Sequence, residues 1–155
     1  MILQESADLE GETVGNGTNI QTWNAQAGDT YLKPSGPANH LFIVLFDPFK
    51  HIEAGYGDFL YIASVNITSI GMVKFDSTCI LNPGDHPFII KPSYVNYRMM
   101  ESERFSIVKG RIESGEYRLH QPLNKVILEK VVSGIFESDN TKTRFILELK
   151  HFIDK

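Results

Sequence analysis

The chain has 155 residues, about one domain's worth and enough to bury a core without disulfides or metal staples. With 42% apolar and 11% aromatic residues and a formal charge of -4, its composition excludes wholesale disorder and a fibrous architecture. The single cysteine, Cys79, excludes an internal disulfide and a thiolate zinc cluster. No apolar run approaches the roughly 20 residues of a membrane span, and the N-terminus lacks the basic head and apolar stretch of a secretion leader. A cytoplasmic protein without membrane attachment is expected.

Charge is unevenly placed. Residues 1 to 30 hold Glu5, Asp8, Glu10, Glu12 and Asp29 with no Lys or Arg, whereas His86 to Lys130 holds eight basic residues against five acidic ones. That mild bias is compatible with a phosphate backbone and equally with a solvated face. Residues 1–25 are polar and without period, which reads as an arm or tail with Trp23 as its one large anchor, and residues 26–155 read as one domain. After Gly28-Asp29 a short strand is expected at 29–32, followed by a loop through Lys33-Pro34-Ser35-Gly36-Pro37.

The run HLFIVLF predicts a central strand over 40–46, and FLYIASVNITSI predicts another over 59–70. A short apolar piece, 78–81, ends at the turn Asn82-Pro83-Gly84-Asp85. Alternation then predicts a strand at 93–98 and a further one at 105–108. In the C-terminal third the period changes: Leu123, Val126, Ile127, Val131 and Ile135 form a helical stripe, which predicts a helix over 122–137 with Gly134 as its weak point. N-cap candidates at 138–141 open a second helix, 141–153, on Phe145, Leu149, Phe152 and Ile153. The fold class is therefore mainly β with α, a small antiparallel barrel followed by two C-terminal helices.

Gly28-Asp29, then His40-Leu41-Phe42-Ile43-Val44-Leu45, then Asn66-Ile67-Thr68-Ser69, then Ser93-Tyr94-Val95 occur in an order that resembles the MazF/PemK (Kid, CcdB-like) toxins. The chain is also similar to uncharacterised bacterial proteins that share Gly84-Asp85-His86-Pro87-Phe88 followed by Ser93-Tyr94-Val95. The toxin resemblance implies a small SH3-like, PemK-type barrel. It further implies a bacterial toxin-antitoxin or defence component that cleaves single-stranded RNA without a metal or other cofactor. An antitoxin or other protein partner, and a homodimer, go with it. The chain departs from the family at the start of the second strand, where His40 and Leu41 stand in place of arginine and proline.

Metal-independent RNA cleavage needs a base for the 2′-hydroxyl, an acid for the leaving 5′-oxygen and a cation at the phosphate. His40, His86 and Arg98 are the catalytic candidates; Thr68, Ser69, Lys91 and Tyr97 are the substrate-binding ones. Each has a plainer role open to it. His40 suits an exposed strand edge, His86 the backbone of its own turn, Thr68 strand packing, and Arg98 an ion pair to Glu101 or Glu103. Since one antiparallel strand begins where its neighbour ends, His40 and Thr68 or Ser69 should meet in a groove, with His86, Tyr97 or Arg98 beside them. The alternative function is a non-catalytic small-barrel module that binds a protein partner or nucleic acid.

Overall fold

A computed structural model describes residues 23–50, 57 and 59–153, with side chains placed through residue 149. Its strands are β1 (Thr30–Ser35), β2 (Ala38–Val44), β3 (Phe49–Lys50), β4 (Leu60–Ser69), β5 (Ile80–Leu81), β6 (Ser93–Arg104) and β7 (Arg118–His120). Helix α1 (Phe105–Glu113) lies between β6 and β7, and α2 (Lys125–Glu137) and α3 (Thr143–Ile153) follow β7. All strands belong to one antiparallel sheet in the order β5-β6-β4-β2-β1-β7, with β3 added beside β4.

β2 is a continuous apolar run because the sheet is covered on both faces. Leu41 and Ile43 enter one core with Val65, Ile67, Val95 and Tyr97, closed by Val131 and Ile135 of α2 and Phe145 and Leu149 of α3. Phe42 and Val44 enter a second core with Tyr31, Ile62 and Tyr117, closed by Val108 and Ile112 of α1 and by Trp23. In that second core Phe42, Tyr31 and Tyr117 form a stack, with centroids 5.7 and 5.5 Å apart and interplanar angles of 13°. Each such side chain, fully buried, stabilises the fold by about 1.5–3 kcal/mol.

The sheet curls around the face that carries Tyr31 and Phe42. Lys33 on β1 donates to Glu101 on β6 at 3.1 Å although β2 and β4 lie between them. On a flat ladder the two residues would stand about 14 Å apart across the strands and a further ~13 Å along them. Two side chains span that only if the face is concave, so the sheet is a half-barrel.

Several expectations change. Residues 33–35 are not loop: β1 runs on through Pro34 to Ser35 and turns at Gly36-Pro37 directly into Ala38. Gly36 has φ +61° and Pro37 follows it, the residue pattern of a type II′ hairpin turn. Pro34 is tolerated because β7 pairs only with Thr30 to Leu32, so one flank of β1 is open beyond that point. Residues 105–108 are not a strand but the start of α1, whose Val108 and Ile112 fall four apart and bury one helical face. β6 is longer than 93–98. Helix α2 starts after Asn124, not at Pro122, because the Asn124 side chain caps Val126 N–H at 2.8 Å.

Trp23, placed by sequence in the arm, is buried at 8% exposure, with its indole N–H on Asp29 at 3.0 Å. Gly28 takes φ +95° beside Leu128, and the backbones of Gly28 and Asp29 bond Val44 on both sides. The rest of the arm, residues 1–22, lies outside the described residues. Among the described residues no helix is long and apolar enough to cross a membrane.

Candidate functional site on the concave face

Register builds a row across the open end of the concave face. Lys33 pairs with His40. One step beyond the Leu41–Ile67 pair, His40 adjoins Thr68, and Thr68 pairs with Tyr94 of β6. Residues opposite one another on a ladder share a face, so Lys33, His40, Thr68 and Tyr94 lie together, each half-buried. Ser69, exposed, pairs with Ser93 at the strand ends. In the next row the same face carries Phe42, Asn66 and Asn96. The Asn66 Oδ1 is buried without a hydrogen-bond partner.

A charged cluster joins this row through Lys33. Its ammonium is 3.1 Å from Glu101 and 3.7 Å from Glu103, and it sits over the Phe42 and Tyr117 rings at 4.9 and 5.6 Å. Burial pulls the ammonium down, but the hydrogen bond and charges of Glu101 and Glu103 outweigh it, so Lys33 stays above the ordinary lysine value. Burial pushes both glutamates up. For Glu103 the hydrogen bond and charge of Glu101 push further, and it titrates above the usual range. For Glu101 the bonds from Glu103 and Lys33 prevail, and it titrates below. The closer contact with Lys33 favours the ionised form at Glu101, and of the two Glu103 holds a proton the more readily.

The other expected site residues go elsewhere. Tyr97 has no exposed surface; it belongs to the core under α2, and its hydroxyl donates to the Val131 carbonyl at 2.6 Å. His86, 2% exposed, stands below the opposite face beside Thr30. Its Nδ1 accepts from Phe88 N–H at 3.0 Å, which places the proton on Nε2, and Nε2 donates to the Gln121 carbonyl at 2.7 Å. Both ring nitrogens are therefore committed to backbone, tying the 82–88 turn to the segment before α2. Burial holds the His86 imidazole below its ordinary value against the Gln121 bond.

Arg98 departs because of a large bulge: between the Ser64–Glu101 and Asn66–Asn96 pairs β4 has one residue and β6 has four. The exposed guanidinium donates to Asn140 in the loop between α2 and α3 at 3.0 Å, not to Glu101 or Glu103. Lys91 is exposed on the loop before β6. The structure therefore brings His40 and Thr68 together and separates them from His86 and Tyr97.

A cavity of about 560 Å³ lies at the His86 turn, lined by Asp85, His86, Gln121 and Asn124 among others. The His120 ring lies 4.8 Å from that of His86, tilted by 57°; burial first, then His86 and Arg118, hold it down to about 4. Because the ring nitrogens of His86 are both used, this cavity has less to offer a reaction than the concave face. Among the described residues no three of His, Cys, Asp and Glu are grouped to hold a metal ion.

Sequence reasoning missed Lys33, Glu101 and Glu103. The signal for Lys33 was the Gly36-Pro37 pair: a two-residue turn fixes position 33 opposite position 40. Compared with protein-family models, curated proteins and solved structures, the chain matches none.

Proposed function

We propose that the chain is a metal-independent endoribonuclease of the MazF/PemK-like toxin kind, acting on single-stranded RNA from the concave face of a small SH3-like barrel with two C-terminal helices. One observation supports this above others: an imidazole, a hydroxyl and a cation (His40, Thr68 and Lys33) occupy adjoining register positions on one face. Those groups can hold and polarise a phosphodiester without a metal. The cation comes from β1, across the ladder from the position where the family's arginine stands. The reading carries with it a cytoplasmic setting, an antitoxin-like protein partner and a homodimer.

A second reading, a non-catalytic module binding a protein partner or nucleic acid, is favoured by a different observation. Lys33 is already ion-paired to two carboxyls, so a phosphate must compete for it.

Incubating purified protein with an end-labelled single-stranded RNA in EDTA separates the two. The ribonuclease reading expects fragments ending in a 2′,3′-cyclic phosphate, with kcat/KM lowered about 100-fold in His40→Ala. RNA that is retarded in a gel but stays intact supports the binding module and refutes catalysis.

A further inference from the structure

We infer that Glu101 and Glu103 are the proton-transfer pair of the concave-face site, Glu101 as base and Glu103 as acid, with His40 and Thr68 holding the RNA beside them. The inference rests on the ribonuclease reading and adds the groups that move the proton.

Three observations carry it. Glu101 and Glu103 are two apart on β6, so both side chains rise on one face from backbone positions about 7 Å apart, and they are hydrogen-bonded to each other. Both Glu101 oxygens accept from Lys33, at 3.1 and 3.3 Å, and each oxygen has a second lone pair with which to meet a reacting group. Second, Lys33 contacts both carboxyls and is itself the ladder partner of His40, so the cluster and the row are parts of one surface. Third, the Asn66 Oδ1, on that face two residues along β4 from the Ser64 that pairs with Glu101, is an acceptor only 8% exposed by residue and without a partner. A buried acceptor left unpaired costs about 1–3 kcal/mol, and a ribose or base donor relieves it.

The step balances without a co-reactant. The Glu101 carboxylate takes the 2′-hydroxyl proton, and the 2′-oxygen forms its bond to phosphorus. The bond from phosphorus to the 5′-oxygen breaks, its electron pair stays on that oxygen, and the Glu103 carboxyl gives its proton there. The products are a 2′,3′-cyclic phosphate and a 5′-hydroxyl. Glu101 is then protonated and Glu103 ionised, and the hydrogen bond between them returns the proton to Glu103 directly. Lys33 stabilises the charge that develops on the phosphoryl oxygens. The other charged or titratable groups facing the pair are Tyr31 on β1, Arg111 on α1 and Tyr117 after it.

The test is the pH profile of RNA cleavage in EDTA for the wild type, Glu101→Gln, Glu103→Gln and His40→Ala, with thermal melts of each. Wild-type kcat should rise and fall with pH on two limbs. Glu101→Gln should lose the acidic limb and Glu103→Gln the alkaline one, each with kcat down about 100-fold or more and KM within about threefold. His40→Ala should act mainly on KM. If wild type cleaves and both glutamine variants keep both limbs and rates within about threefold, this assignment is overturned while the ribonuclease reading stands. If the wild type leaves RNA intact, the reading falls and the assignment with it. Should either variant not fold, ¹³C carboxyl titration of the wild type decides: two well-separated steps support the pair, and two ordinary coincident glutamate titrations overturn it.

Discussion

Replacing Gly134 by alanine should destabilise the protein, against the usual rule for a helix interior. In a free helix the change stabilises by about 0.8–1 kcal/mol. Here the added Cβ would stand 2.0 Å from the Tyr97 hydroxyl oxygen, 2.7 Å from Cζ and 3.1 Å from Cε2. Tyr97 cannot swing away, since it is wholly buried between β6 and α2 with its hydroxyl fixed on the Val131 carbonyl at 2.6 Å. Relief demands a ring shift in a packed core, costing about 1–3 kcal/mol, and the loss of that hydrogen bond, about 1 kcal/mol more. After the helix gain is subtracted, a net loss of about 1–3 kcal/mol remains. For a domain of this size that lowers Tm by about 2–10 °C. Tyr97→Phe removes the nearest atom, so the double variant should be more stable than the two single effects predict, with a coupling of about 1 kcal/mol. Thermal and urea melts of all four proteins measure this. A Gly134→Ala protein that melts at or above the wild type, or strictly additive effects, would refute the packing argument.

Three further outcomes follow from the charges. Burial keeps His86 and His120 neutral in the fold, His120 down to about 4, while in the unfolded chain they gain protons near pH 6.5. The stability they support is present above about pH 6.5 and drains as pH falls toward 4; a wild-type urea midpoint as high at pH 5 as at pH 7.5 rules this out, and His120→Asn should flatten the curve. Asp76 accepts from Thr78 N–H at 2.9 Å, Thr78 Oγ1 at 2.6 Å and Ser138 Oγ at 2.5 Å, and despite the upward push of burial these bonds hold it down to about 2. Asp76→Asn should cost about 1–2 kcal/mol at pH 7, a difference that shrinks as pH drops from about 4 toward 2; equal urea midpoints at pH 7 would count against it. Lys33→Met leaves Glu101 and Glu103 facing each other without a cation, so both titrate higher in the fold and stability falls as pH rises. Chemical denaturation should find this variant about 1–3 kcal/mol weaker than wild type at pH 8 and recovering near pH 5; no recovery at low pH contradicts the charge assignment.

How legible the fold was in the sequence depended on local period. β2, β4 and α2 stood out because apolar runs and a helical stripe are long enough to outvote their ends. α1 did not, since FSIVKGRIE holds only two buried residues and its β-branched start looks like strand. The second half of β6, Met99 to Arg104, has no apolar alternation because its inward positions are Glu101 and Glu103, whose partner Lys33 comes from far away in sequence. For the site, the neighbourhood of His40 and Thr68 followed from antiparallel logic alone. Lys33 was missed because Pro34 reads as a breaker unless the open flank of β1 is known, and the departure of Arg98 depended on a bulge that no residue pattern announces.

The shortness of the terminal strands bears on how the protein behaves at high concentration. A sheet with free edges invites edge-to-edge pairing with neighbouring molecules. Here the outermost strands are β5, of two residues, and β7, of three, too brief to template an incoming strand. Among the described residues two longer stretches of flank are open: β6 beyond Tyr94, bent by its bulge, and β1 beyond the reach of β7, which carries Lys33 and Pro34, a charge and a residue without an N–H. Removing both guards should promote fibrillar aggregation on warming, without any change in the core.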